Sequence, residues 1–209
     1  YLGLLYTYGK GVLQDYRQAA YWYKKAADQG VVKAQNTLGE MYYYGRGVMQ
    51  DYQSAFVYYS ASALKGDAEG QYTLGVMYEH GTGVAQDYQQ AISWYLRATE
   101  QQYASAQYNL AMMYYNGRGV SKDMSKVKHW IRQAYEGNDV KISKIAGDAW
   151  SALELWQYWQ LRTRLNSQFS TLFPFKIIAY LHSKSISFVE TDAKALFWLS
   201  FIMHYSYRL

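Results

Sequence analysis

Gly45-Arg46-Gly47-Val48, followed by an aspartate at Asp51, is the stretch of the chain that decides its fold. The same pattern occurs three more times, and each copy lies 36 residues from the next. A fixed period of this length is typical of solenoids, in which one supersecondary unit is copied and stacked. The other copies are Gly9-Lys10-Gly11-Val12 with Asp15, Gly81-Thr82-Gly83-Val84 with Asp87, and Gly117-Arg118-Gly119-Val120 with Asp123.

Each repeat is predicted to be a pair of antiparallel helices. In residues 31–66, apolar side chains at helical spacing favour a first helix that ends at Gly45, because glycine adopts a positive φ at little cost. Asp51 is a suitable N-cap for a second helix, which ends at Gly66. Two copies place a glutamine three residues after the aspartate, which predicts a capping box: Asp15 with Gln18, and Asp87 with Gln90.

Composition restricts the function classes. Half of the residues are hydrophobic and 25 are tyrosines, so a packed core is expected. The chain has no cysteine, which excludes disulfides and thiolate metal sites. The net charge of +5 comes without a basic run, so no nucleic-acid footprint is expected. The longest apolar stretch, residues 195–203, is too short to span a bilayer. Because the chain starts inside a repeat and without methionine, we expect a fragment of a longer protein.

Some residues resemble parts of chemical sites, and each has a structural explanation. Gly9-Lys10-Gly11 lacks the preceding strand and the G-K-[ST] ending of a phosphate loop. Repeated aspartates are better explained as helix caps than as catalytic carboxylates. The aromatic residues that recur between copies fall on packing stripes, which favours core over base stacking. The four histidines are too scattered for a metal site: His80, His129, His182 and His204.

A known family shares this pattern. Ala106-Gln107-Tyr108-Asn109-Leu110-Ala111-Met112-Met113-Tyr114-Tyr115-Asn116-Gly117-Arg118-Gly119-Val120 resembles the Sel1-like repeat, a relative of the tetratricopeptide repeat with a longer loop. The resemblance covers residues 1 to about 150. It implies an all-α, right-handed αα-hairpin solenoid that serves as a protein-interaction scaffold. Members of the family often assemble signalling or quality-control complexes, and many bacterial members are exported.

The domain organisation follows from the period. Residues 1–138 are predicted to be the repeat array, with a partial first repeat at 1–30 and further repeats at 31–66, 67–102 and 103–138. Residues 139–209 are predicted to be degenerate repeats that form a C-terminal cap, since no glycine follows Gly147. There we expect a helix up to about Trp150, another over residues 152–165 and a break near Pro174. The apolar C-terminal end could pack on the array or support self-association.

Partner-binding residues are expected where the copies differ. In tetratricopeptide arrays the first helix of each pair lines the concave face. Mapping that geometry onto this chain predicts four concave-face positions in each first helix, at 33, 36, 40 and 43 in the second repeat and at the equivalent residues of the next two. The predicted partner-binding residues are Asn36, Glu40, Tyr43, Tyr72, Val76, Glu79, Tyr108, Met112 and Tyr115. Tyrosine and methionine offer adaptable contact area, so an extended peptide or a partner's helix is the expected ligand.

The sequence therefore predicts a non-catalytic scaffold or adaptor for a protein or peptide partner, with no cofactor, no metal and no nucleic acid. One alternative is a regulator that activates or localises an enzyme. Another is a hydrolase of a small amide such as a β-lactam, because some Sel1-like proteins have been described in that role. The residues leave the compartment open, and the resemblance favours a bacterial exported or periplasmic protein.

Overall fold

The computed structural model describes the backbone of residues 1–169 and the side chains of residues 1–154. This part of the chain contains nine α-helices and no strand, as predicted for an all-α fold. Helices α2 to α8 are each 13 residues long. The helices are α1 (Leu2–Tyr8), α2 (Tyr16–Asp28), α3 (Val32–Tyr44), α4 (Tyr52–Leu64), α5 (Ala68–His80), α6 (Tyr88–Glu100), α7 (Ala104–Asn116), α8 (Met124–Glu136) and α9 (Val140–Phe169).

The paired glycines end each first helix and bring consecutive repeats together. Gly45 terminates α3 with a φ of 68°, in the left-handed region that glycine tolerates. Gly83, the second glycine of its pair, has a φ of 71° and lies against the backbone of Tyr52, at the start of α4 in the preceding repeat. A Cβ built on Gly83 would overlap the Tyr52 carbonyl oxygen. The glycine is therefore needed both for its φ and for this close approach.

The repeated aspartates cap the second helices as predicted. Asp87 Oδ1 accepts hydrogen bonds from the backbone N–H groups of Gln89 and Gln90, at 2.9 and 3.0 Å. The predicted capping box is wrong. The backbone N–H of Asp87 donates to the carbonyl oxygen of Tyr78, nine residues earlier, at 2.9 Å. This bond ties the cap to the preceding helix, and Asp15 forms the same bond with Tyr6.

Small residues on the first helices lie under aromatic rings of the second helices. A Cβ added to Gly39 would lie 3.0 Å from the Tyr59 ring, and one added to Gly75 would lie 2.7 Å from the Tyr95 ring. Tyr95 is fully buried and belongs to a cluster with Leu110 and Met113 of the next repeat. The core is therefore continuous from one repeat to the next, which is how a solenoid buries surface that a single hairpin cannot.

A glutamine one residue before the capping aspartate, whose role was not predicted from the sequence, bridges the turn in each of the first three repeats. Gln50 Nε2 donates to the Tyr43 carbonyl oxygen at 2.8 Å and to the Tyr52 hydroxyl at 3.0 Å. Gln14 and Gln86 make the equivalent bonds. These bonds satisfy carbonyl groups that the end of each first helix leaves free.

Residues 140–169 form one continuous helix, α9, where the sequence suggested two. No glycine follows Gly147, so the chain lacks the residues that end the first helices of the earlier repeats. Asp139 begins α9 by accepting hydrogen bonds from the backbone N–H groups of Lys141 and Ile142. The predicted break near Pro174 and the apolar stretch at 195–203 lie outside the described residues.

Candidate partner-binding surface

Burial defines the outward side of the first helices. In α3 the buried residues leave Lys33, Thr37, Glu40 and Tyr44 facing solvent, at the i, i+4, i+7 spacing of one helix face. The equivalent residues of α5 and α7 are likewise exposed or half-buried. We refer to this surface as the first-helix face. It consists of Lys33, Thr37, Glu40, Tyr44, Glu69, Thr73, Val76, His80, Ser105, Asn109, Met112 and Asn116.

The predicted binding residues fall into three sets of equivalent positions, and one set lies on the first-helix face. Glu40, Val76 and Met112 form that set and are half-buried. The other sets lie beside the face, and five of their six members contact a neighbouring helix. They are Asn36, Tyr72 and Tyr108, and Tyr43, Glu79 and Tyr115. The face positions of Thr37 and Tyr44 were not predicted, although steps of four residues from the predicted positions Lys33 and Glu40 lead to them.

Asn36 is buried rather than facing a groove, and it ties α3 to the next repeat. Only 5% of the residue is exposed. Its Nδ2 donates to Asp67 Oδ2 at 2.7 Å and to Glu69 Oε2 at 3.3 Å. Asp67 is also the N-cap of α5, where its side chain accepts from the Gly70 backbone N–H at 2.8 Å. The amide of Asn36 therefore serves the contact between repeats.

Glu79 is the centre of a second contact between repeats. Its carboxylate accepts a hydrogen bond from the Tyr95 hydroxyl at 2.7 Å. It also pairs with Arg118 of the following turn, with a distance of 3.2 Å between Oε1 and the guanidinium. The Tyr95 hydroxyl in turn accepts from Asn109 Nδ2 at 3.2 Å. The Glu79 side chain is only 11% exposed, which gives this ion pair better shielding from solvent than the other pairs among the described residues.

The remaining predicted residues differ in how much surface they offer. Tyr72 packs between the rings of Tyr95 and Tyr103, with centroids 6.0 and 5.2 Å away. Tyr43 makes edge contacts with Tyr44 and Tyr52. Tyr108 and Met112 pack against the buried cluster that contains Ile131. Tyr115 is 49% exposed, the most accessible of the nine.

Buried tyrosines keep their protons in this fold. Burial raises the pKa of Tyr95, and its hydrogen bond to Glu79 raises that pKa further. Burial likewise raises the pKa of Tyr59, and together with the negative charge of Glu69 it raises the pKa of Tyr103 to about 12. At neutral pH these phenols are hydrogen-bonding groups and not bases or nucleophiles.

We expect the protein to lose stability above pH 10. Unfolded tyrosine titrates near pH 10, whereas Tyr59 and Tyr95 have raised pKa values in the folded state. Above pH 10 the unfolded state therefore binds fewer protons than the folded state. The free energy of unfolding then falls by up to about 1.4 kcal/mol per pH unit for each of these two tyrosines. Urea unfolding at pH 9 and pH 11 measures the loss, which Tyr59→Phe should reduce. Equal midpoints at the two pH values would contradict the expectation.

The described side chains offer little for catalysis or for a metal. They contain no group of three or more histidine, aspartate or glutamate side chains placed to hold a metal ion. Two pairs have the S-x-x-K spacing known from β-lactam-binding serine enzymes, Ser62 with Lys65 and Ser125 with Lys128. The Ser62 hydroxyl donates to the Asp67 carboxylate at 3.2 Å, and the Lys65 ammonium donates to the Gly30 carbonyl oxygen. The Ser125 hydroxyl, however, donates to the Asp123 carboxylate at 2.6 Å and reinforces the N-cap of α8. Within the same described part, no helix is long and apolar enough to cross a membrane.

Comparison with known proteins agrees with this geometry. The Sel1 repeat matches residues 1–31, 32–67, 68–103 and 104–139. A Sel1 repeat protein from Oxalobacter formigenes is 33% identical over 75% of this chain and 67% of its own, with a TM-score of 0.66. A protective antigen of uropathogenic Escherichia coli with an SLR fold is 41% identical, with a TM-score of 0.63.

The match to the antigen covers 64% of this chain, which spans 28% of the antigen's length. No curated protein matches the chain. Four consecutive Sel1 matches, together with the helical hairpins they cover, confirm the predicted repeat solenoid. Sel1 repeat proteins generally mediate protein–protein interactions as non-catalytic scaffolds. The chain belongs to the Sel1 repeat family.

Proposed function

We propose that this chain is a non-catalytic scaffold or adaptor that binds an extended peptide or a partner's helix on the first-helix face. The observation that carries the proposal is a contrast between equivalent positions of α3, α5 and α7. The buried positions repeat, with Leu38, Leu74 and Leu110 in one set and methionine in another. Three of the four sets of face positions have a different residue in every repeat, as in the set Glu40, Val76 and Met112.

The layout of the face suits a main chain that crosses the helices. Thr37, Thr73 and Asn109 occupy one equivalent position, so they form a row of uncharged polar side chains across three helices. Thr37 Oγ1 donates to the Lys33 carbonyl oxygen and Asn109 Nδ2 donates to the Tyr95 hydroxyl, so the oxygen atoms of these side chains are the groups that can accept from peptide N–H groups of a partner. Beside this row, Val76 and Met112 offer apolar contact area. Peptide recognition commonly combines main-chain bonds with such side-chain contacts.

Substitution of Thr37 and Thr73 on the first-helix face, together with the exposed Tyr115 beside it, should strongly reduce partner capture while leaving the fold intact. We expect the triple variant Thr37→Arg, Thr73→Arg and Tyr115→Ser to capture no more than about a tenth of the partner that the unchanged protein captures. This corresponds to a loss of roughly 1.4 kcal/mol or more in binding free energy. The measurement is a pull-down with immobilised protein, quantified by mass spectrometry, from lysate of the organism that encodes the chain. Circular dichroism verifies folding.

Gln133→Arg is the matched control, because it adds an arginine at an exposed position of the second helix α8. It should retain the same partners as the unchanged protein. Capture that survives in the triple variant at full yield would overturn the assignment of the first-helix face. Steady turnover of a β-lactam or another small amide by purified protein would overturn the non-catalytic part of the proposal.

A further inference from the structure

The buried tyrosine Tyr59 on α4 has a hydroxyl group without a partner. Only 6% of the residue is exposed, and its hydroxyl makes no hydrogen bond to the described residues. Among those residues, the polar atoms that are both sealed from solvent and unpaired do not include this hydroxyl, so it remains open to a ligand. Because a polar group on a buried side chain normally has a hydrogen-bond partner, the unpaired hydroxyl points to a ligand.

The equivalent hydroxyl in the next repeat finds its partners within the chain. Tyr95 Oη donates to Glu79 and accepts from Asn109, and Arg118 pairs with the same carboxylate. The residues at the three corresponding positions around Tyr59 are Tyr43, Thr73 and Thr82. These residues supply no carboxylate, amide or guanidinium. The chain therefore completes the cluster around Tyr95 and leaves the one around Tyr59 incomplete.

Two carboxylates at the start of α5 lie together without a cation. One amide group contacts both, because Asn36 Nδ2 donates to Asp67 Oδ2 and to Glu69 Oε2. The second oxygen of each carboxylate, Asp67 Oδ1 and Glu69 Oε1, accepts no hydrogen bond from the described residues. None of the four ion pairs in this part of the chain includes either residue. Like charges held so close together favour the binding of a cation.

The charges that act most strongly on the nearby phenols are negative. Burial raises the pKa of Tyr59, and the charges of Glu40 and Glu69 raise it further. Burial also raises the pKa of Tyr103 to about 12, and Glu69 is again the strongest charge. The Glu69 carboxylate therefore lies near both phenol groups. We refer to this group of residues as the Glu69 site, which consists of Tyr59, Asp67, Glu69 and Tyr103.

Two basic side chains of the second repeat lie at or beside this part of the first-helix face, and neither fills the Glu69 site. Arg46 pairs with Glu40 of its own repeat, with 3.2 Å between the guanidinium and Oε1. Lys33 occupies the position of Glu69 on α3, where it is exposed and forms no ion pair with the described residues. The carboxylates of Asp67 and Glu69 are therefore left without a counter-charge from either side chain.

We propose that the Glu69 site binds an arginine side chain of the partner peptide, held by the Asp67 and Glu69 carboxylates and the Tyr59 hydroxyl. A guanidinium has five N–H donors and no acceptor, so it matches a site whose free groups are oxygen atoms. Its planar shape also allows stacking on an aromatic ring such as that of Tyr103. A metal ion fits less well, because the described residues contain no group of three or more acidic or histidine side chains placed to hold one. This inference rests on the proposed function, because Glu69 is part of the first-helix face.

A phage-displayed library of random linear peptides tests the proposal, with the whole chain as the target. Counter-selection uses the variant Glu69→Lys, which gives α5 the residue that α3 carries at the same position, Lys33. Glu100→Lys is the matched control, because it makes the same change of charge at an exposed position of α6. Circular dichroism verifies the fold of each variant, and fluorescence anisotropy measures the affinity of the selected peptides.

We expect the selected peptides to contain an arginine whose replacement by glutamine weakens binding at least about tenfold. Glu69→Lys should cause a similar loss and should prefer a version of the peptide with glutamate in place of that arginine, because the charges are then exchanged. Glu100→Lys should bind the original peptide unchanged. Tyr59→Phe should weaken binding by about two- to tenfold, the contribution of one hydrogen bond, without a matching loss of stability.

Selection of no peptide, or of peptides that lack arginine or bind Glu69→Lys equally well, would overturn the inference. If such peptides still lose affinity for the triple variant of the first-helix face, the proposed function stands and only the arginine site fails. Arginine peptides that bind that triple variant normally but not Glu69→Lys would support the Glu69 site and overturn the wider face. Weaker binding to Lys33→Gln than to the unchanged protein would show that a cation of the protein holds the peptide, which would also overturn the inference.

Discussion

Gly83→Ala is expected to lower the free energy of unfolding by about 2–5 kcal/mol, and Gly11→Ala by only about 1–2 kcal/mol. Both glycines are the second of their pair and have similar φ values, 71° and 76°. The strain of an L-residue at positive φ is therefore common to both substitutions. At Gly83 the new Cβ would also overlap the Tyr52 carbonyl, whereas nothing lies within 4 Å of a Cβ at Gly11. The difference between the two losses of unfolding free energy therefore measures the cost of the overlap with the Tyr52 carbonyl.

Urea unfolding monitored by circular dichroism measures both variants. A solenoid is held together by interfaces between neighbouring repeats, so Gly83→Ala weakens the interface between the second and third repeats specifically. We expect its transition to broaden or to divide into two steps as well as to shift. Gly47→Ala should behave in the same way, because Gly47 lies against the backbone of Tyr16. Equal losses in Gly83→Ala and Gly11→Ala would contradict a steric role for the second glycine.

Local features of the repeats were predictable from the sequence because their causes are local. Gly45 adopts positive φ at the end of α3, and Asp51 caps α4 through backbone N–H groups two and three residues ahead. The period of 36 residues required only a comparison of the chain with itself. The absence of a turn before residue 152 also has a local cause. No glycine is present there to end the helix, so α9 continues where two helices were predicted.

Contacts between repeats were less accessible to prediction. A glutamine three residues after Asp87 suggested a capping box, but the Asp87 N–H is occupied by Tyr78 of the preceding helix. Asn36 was expected to face a partner, but Asp67 and Glu69 of the next repeat bind its amide. In both cases the deciding partner lies on another helix. A periodic pattern shows which positions are equivalent, but not which neighbour each side chain meets.

The same comparison between copies is also what distinguishes candidate surfaces from core. Where the four repeats share a residue, the structure explains it by capping, turn geometry or packing. Where one repeat departs from the others, as α4 does in carrying no charged side chain, capping and turn geometry give no reason for the difference. The Glu79 cluster is a departure of the opposite kind, because it adds a shielded ion pair that stabilises the contact between the third and fourth repeats.

Tyr95→Phe is expected to destabilise the protein by about 1.5–3 kcal/mol, the range for a hydrogen bond to a charged group. The Tyr95 hydroxyl donates to Glu79, and its loss leaves a largely buried carboxylate with Arg118 as its remaining side-chain partner in the described part of the chain. Tyr95→Ala should cost about 3–5 kcal/mol, because it also empties a fully buried ring position.

Tyr59→Phe is the matched control, since Tyr59 occupies the equivalent position of the preceding repeat and is 6% exposed. Its hydroxyl makes no hydrogen bond to the described residues, so the change should be within about 0.5 kcal/mol of neutral. Chemical denaturation at pH 7 compares the three variants. If Glu79 is the reason for the difference, Glu79→Gln should lower the cost of Tyr95→Phe in a double-mutant cycle, because the acceptor is then neutral. Purely additive losses in that cycle would show that the hydroxyl acts through packing and not through the carboxylate.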